Sequence, residues 1–138
     1  MQCEAGAPNG DSSLALSATV LRVEPIYSHI LAGNNNSEER VRGAKILVRP
    51  PPGVGPEQLT RLLQCHGARA LLGKADSSNV PSDPYFLPDA WVTIEVKPED
   101  GNFAIVLSTD SVRENLQLLA RARRYGDEHP TALAHVVR

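Results

Sequence analysis

Cysteine and histidine are scarce in this chain, so the few present are the first place to look for chemistry. Cys65 and His66 are adjacent, His29 lies far upstream, and the only other cysteine is Cys3. Imidazole and thiolate together suit copper or zinc. A transition-metal site built from His66, Cys65 and His29, with copper first, is therefore the leading expectation. The segment Leu62-Leu63-Gln64-Cys65-His66 also matches half of the C-x-x-C-H haem-attachment pattern, with Leu62 in place of the first cysteine. On that alternative Cys65 and His66 hold a c-type haem and His29 completes the axial pair. A third reading makes Cys65 a nucleophile near Arg61 and Arg69, but adjacent helical residues are poorly aimed for proton transfer. The plain alternative is a core histidine hydrogen-bonded to a main-chain carbonyl beside an inert thiol. No residue is assigned a catalytic role, and the pattern favours binding over turnover.

Other segments read as structure. Gly53-Val54-Gly55-Pro56 is no phosphate loop, because no Lys-Ser or Lys-Thr follows and Pro56 removes an amide. Arg121, Arg123 and Arg124 read as cations at a helix C-terminus. Trp91 beside Pro84-Tyr85-Phe86-Leu87-Pro88 reads as a plug over the core edge.

Elements must position these groups, and composition bounds them. The chain has 138 residues, 14 basic against 16 acidic, and 41% apolar, which fits one soluble domain with no broad basic field for nucleic acid. No apolar run approaches the roughly 20 residues of a membrane-spanning helix. Two cysteines exclude a multi-bridge framework.

Residues 1–17 read as a disordered leader, rich in Ala, Gly, Pro, Asn and Ser. Residues 18–24 alternate as a strand closed by Pro25, and residues 44–49 form a second strand stopped by Pro50-Pro51-Pro52. Between them Ile26 to Gly43 reads as a long connection with Gly33-Asn34-Asn35-Asn36-Ser37 at its middle. A helix begins at Pro56-Glu57 and runs to Leu72 with Gly73 as its cap; Leu59, Leu62, Leu63, His66 and Ala70 share its apolar stripe. Gly67 is a weak point worth about 1 kcal/mol relative to Ala. After an irregular stretch, residues 91–96 and 103–108 form a hairpin about Asp100-Gly101. Ser111-Val112-Arg113-Glu114 is a capping box opening a last helix, with Val112, Leu116 and Leu119 as its stripe and Gly126 as its stop. Residues 127–138 form a tail.

The order strand, strand, helix, strand, strand, helix implies an α+β domain over residues 18–126. Two β-β-α units form a four-stranded, mainly antiparallel sheet with both helices on one face. Thr19, Thr93 and Glu95 leave the other face partly wet, which would accommodate a homodimer.

Gly43-Ala44, Pro52-Gly53, the Cys65-His66-Gly67-Ala68 helix, Trp91-Val92 and Asn102-Phe103-Ala104 resemble a set of small exported bacterial proteins. The likeness spans roughly Ala18 to Tyr125. It implies a periplasmic or otherwise exported compartment rather than a chemistry. Cys3 stands where a lipid-anchor cysteine would, with Gln2 in place of the usual small residue. In an oxidising compartment Cys3 is also available to pair with Cys65, which would silence every thiol reading.

Overall fold

A computed structural model describes residues 19–32, 36–71, 83–88 and 90–128. The leader, Gly73 and residues 129–138 of the tail lie outside the described residues. Strands β1 (Val20–Ala32) and β2 (Asn36–Val48) are followed by helix α1 (Pro56–Leu71), strands β3 (Thr93–Glu99) and β4 (Asn102–Ser108), and helix α2 (Val112–Glu128). The strands form one antiparallel sheet in the order β1-β2-β4-β3, with both helices packed against it. This is the α+β architecture expected from the element order.

The register explains the core. One row runs Val23–Ile46–Ile105–Val96, and a neighbouring row runs Pro25–Ala44–Leu107–Ile94. Apart from Val23 and Pro25 at the edge, these side chains are buried under the helices, and Leu59, Leu63, Leu118, Leu119 and Ala122 meet them from above. The intervening row, Glu24–Lys45–Val106–Glu95, belongs to the opposite face. There Lys45 Nζ contacts Glu99 at 2.9 Å and Glu24 at 3.6 Å, and Arg22 pairs with Glu24. The hydrogen bond to Glu99, opposed by desolvation, holds the Lys45 ammonium above its ordinary range. That face is dressed with charge.

Several boundaries differ from the sequence reading, each for a physical reason. Pro25 does not close β1; the strand continues to Ala32, and β2 begins at Asn36, so the supposed long connection is mostly a hairpin. Proline is tolerated because β1 is an edge strand, where the missing N–H need not face a neighbour. Register shifts lie between Val20 and Arg22 and between Ile26 and Tyr27. Asp100 and Gly101, with φ of 51° and 81°, make the tight β3–β4 turn that Asp-Gly implies.

Helix α2 is rotated from the expected phase. Its buried residues are Asn115, Leu118, Leu119, Ala122 and Tyr125, while Val112 and Leu116 are exposed. A polar junction fixes this rotation. Asn115 Oδ1 accepts from the Thr109 main-chain N–H at 2.8 Å, and Asn115 Nδ2 donates back to the Thr109 carbonyl. Ser111 Oγ caps the Glu114 N–H, but the reciprocal half of the capping box is absent, because the Ser111 N–H donates to Thr109 Oγ1 instead. Gly126 does not stop the helix. A Cβ there would lie 2.8 Å from a Val23 methyl, so its bare backbone lets α2 settle on β1.

Among the described residues no helix is long and apolar enough to cross a membrane.

Candidate functional site

Helix α1 lies along the outer edge of β3. The Thr60 hydroxyl donates to the Pro56 carbonyl at 2.8 Å and accepts the Val96 N–H at 3.1 Å. One turn on, the Gln64 side chain donates to the Ile94 carbonyl at 3.2 Å. These contacts satisfy main-chain groups that an edge strand would otherwise offer to another chain. They also fix the rotation of α1, so that Leu59, Leu63, His66 and Gly67 face inward.

His66 is turned into the core as the apolar stripe implies, and it has an internal partner there. Its Nε2 lies 2.8 Å from Oδ2 of Asp83, with the two residues only 5% and 6% exposed. Asp83 Oδ1 accepts the Tyr85 N–H at 2.9 Å, so each carboxylate oxygen has a donor. The rings of His66 and Tyr85 meet edge to face at 6.1 Å, and Tyr85 meets Tyr125 the same way at 5.7 Å. Burial pushes the Tyr85 phenol well above its ordinary range, and neighbouring Tyr125 and Asp83 act in the same sense. Burial likewise lifts Tyr125 to about 12, against an opposing contribution from Tyr85. The two phenols feel each other's charge, and among the described residues the Tyr85 hydroxyl makes no hydrogen bond of good geometry.

The Asp83–Leu87 segment is clamped from the other side. Arg121 Nη1 donates to the carbonyls of Asp83 and Phe86 at 3.2 and 3.0 Å. Burial lowers the Arg121 guanidinium from its ordinary range, partly offset by the Asp83 charge. Arg121 is therefore a strut within the fold. Since α2 continues to Glu128, Arg121, Arg123 and Arg124 do not lie in the last turn as expected.

Gly67 has a specific reason to be glycine. A Cβ there would sit 2.7 Å from the Tyr85 carbonyl oxygen, so α1 and the Asp83–Leu87 segment touch backbone to backbone. Tyr85 and Leu87 plug the core, whereas Trp91 does not; it is 56% exposed. It rims a small apolar recess with Gln64, Gly67, Phe86 and Ala90.

Cys65 is disulfide-bonded, so its sulfur offers no thiolate. Cys3, the chain's other cysteine, lies outside the described residues. The backbone of His29 lies in β1, opposite Glu39 of β2. Helix α1 packs on β3, at the other edge of the sheet. Three strand spacings, roughly 14 Å, separate those edges. The fold brings His66 to Asp83, while the backbone of His29 belongs to the opposite edge of the sheet. Among the described residues no group of three His, Cys, Asp or Glu side chains could hold a metal ion.

Asp83 and the Thr109–Asn115 pair are residues that sequence reasoning missed, and Arg121, which reads in the sequence as a helix-end cation, is a clamp on the Asp83–Leu87 segment. Nothing local in the sequence links Asp83 to a histidine 17 residues earlier.

The remaining distinctive feature is the β1–β2 hairpin. Strand β2 pairs with β4 only from Gly43 to Val48, while it pairs with β1 from Asn36 onward. Tyr27–Ala32 and Asn36–Val41 therefore run past the other described strands as a two-stranded ribbon, with Tyr27 49% exposed near its base. Comparison of the chain with protein-family models, curated proteins and solved structures finds no match, so no family is assigned.

Proposed function

We propose that this protein is a small, non-catalytic interaction domain of an exported, oxidising compartment, and that the β1–β2 ribbon is the part that meets its partner. The single observation that carries this reading is the ribbon itself, a paired segment extending beyond the other described strands. Two strands alone are marginal in water, so such a segment gains most from a third strand or a partner surface. The chemistry-bearing residues support the same reading by being consumed internally. His66 is held by Asp83, and Cys65 is in a disulfide. Disulfides persist in oxidising compartments, which agrees with the exported character implied by the resemblance.

A copper or haem site using Cys65, His66 and His29 requires a free thiolate, a released imidazole and the joining of opposite sheet edges. The interaction reading requires no such rearrangement.

The test compares the full chain with a variant in which Ile26 is joined to Gly43 through Asn-Gly. Both should unfold cooperatively, and only the full chain should retain a partner from an extract of the host's exported proteins. Titration of the purified protein with copper(II) and zinc(II) should show no stoichiometric uptake. Uptake of one equivalent of metal that is lost in His66→Gln would overturn the proposal and restore the metal reading. Equal partner retention by the trimmed variant would remove the ribbon from it.

A further inference from the structure

The two edges of the sheet are treated differently. At β3, Thr60 and Gln64 of α1 occupy the Val96 N–H and the Ile94 carbonyl. The first half of β1 carries other guards: Arg22 and Glu24 are charged, Pro25 lacks a donor, and register shifts interrupt pairing next to Val20 and again between Ile26 and Tyr27, where this guarded half ends. Charges, proline and bulges are the devices by which edge strands avoid pairing with other chains. The second half, Tyr27-Ser28-His29-Ile30-Leu31-Ala32, has no Asp, Glu, Lys, Arg or Pro. It is also the part that outruns β4. Among the described residues its partner strand is β2, whose Asn36, Ser37, Glu38, Glu39 and Arg40 stand opposite it in register, so the charged residue types of the ribbon are on the β2 strand.

We infer that the Tyr27–Ala32 segment of β1 pairs antiparallel with the same segment of a second copy of this chain, joining two ribbons into a four-stranded sheet. This rests on the interaction reading above and names its partner. A strand meeting its own copy antiparallel about a two-fold axis is matched in length and in chemistry. Here the match brings no like-charged carboxylates or amines opposite one another, because the segment contains none. The same operation applied to β2 would bring Glu38 and Glu39 close to their copies, which disfavours that edge. Six residues a side make a modest interface, so the dimer forms and dissociates with concentration.

Sedimentation equilibrium across a dilution series tests the inference on the full, oxidised chain. The wild type should fit a monomer–dimer equilibrium. Ile30→Lys/Leu31→Lys, which adds the missing guards, should weaken dimerisation by at least about tenfold. His29→Pro, which removes one main-chain donor, should weaken it independently. Leu116→Lys, on the exposed face of α2, should leave it unchanged. Trp91 fluorescence and the urea midpoint show whether each variant retains its core. A wild type that stays monomeric at its highest soluble concentration would overturn self-pairing. So would a dimer insensitive to both β1 variants or dispersed by Leu116→Lys. Monomeric behaviour together with ribbon-dependent retention of another protein would sink this inference alone and leave the interaction reading standing.

Discussion

Asp83 holds Nε2 of His66 at 2.8 Å inside the core, joining helix α1 to a segment that follows it by more than ten residues. With the Tyr85 N–H on the other oxygen, both carboxylate oxygens are engaged. Replacing Asp83 removes the buried acceptor of the Tyr85 N–H and the contact with His66 Nε2 together. Asp83→Ala should therefore destabilise the fold by about 1–3 kcal/mol. Denaturant unfolding checks this, and a double-mutant cycle with His66→Leu should give a smaller loss for the pair than the sum of the single losses. Additive losses would mean that the two side chains are not coupled.

Gly67→Ala sets two effects against each other. Helix propensity favours alanine by about 1 kcal/mol. The new methyl, however, would lie 2.7 Å from the Tyr85 carbonyl oxygen, a main-chain atom that cannot swing aside. The clash should win, with a net destabilisation of about 1–3 kcal/mol measured as a lower urea midpoint. A stabilised variant would show that the segment can retreat freely.

Tyrosine burial predicts the alkaline behaviour. Both Tyr85 and Tyr125 are raised above the ordinary value of 10.0, Tyr125 to about 12, with burial as the principal cause. Below pH 10 the phenols are neutral in both folded and unfolded chains and add no pH dependence. Above it the unfolded chain ionises first, so stability falls as pH rises towards the folded values, by about 1.4 kcal/mol per pH unit for each phenol. Tyr125→Phe should flatten this decline. Tyr85→Phe should flatten it too, and because the Tyr85 hydroxyl has no well-placed hydrogen-bond partner among the described residues, the substitution should be neutral or slightly stabilising at neutral pH.

The phase of α2 gives a further contrast. Leu116→Glu should change stability by no more than about 0.5 kcal/mol, since the side chain is exposed. Leu118→Ala should cost about 2–5 kcal/mol. Asn115→Leu should also be costly, about 1–3 kcal/mol, by orphaning the Thr109 N–H and carbonyl. A reversed order for Leu116 and Leu118 in thermal or denaturant melts would refute the rotation of the helix.

The sequence by itself determined the order of elements and the sheet-and-helix architecture. Alternation through Ile94 and Val96, the Asp100-Gly101 turn and the Pro56 helix start are signals read within a few neighbouring residues. It also determined that His66 turns inward, because a 3.6-residue period places it among leucines. Only the tertiary structure decided what His66 meets, why Gly67 is bare, how α2 is rotated and how far the first hairpin runs. Each of those outcomes depends on a partner distant along the chain: Asp83 for the imidazole, the Tyr85 carbonyl for the glycine, Thr109 and Asn115 for the helix phase, and the edge position of β1 for Pro25. Local periodicity encodes which face is apolar. It cannot encode which polar group across the core will satisfy a buried nitrogen, because that is settled only when the layers close and every desolvated donor must find its acceptor.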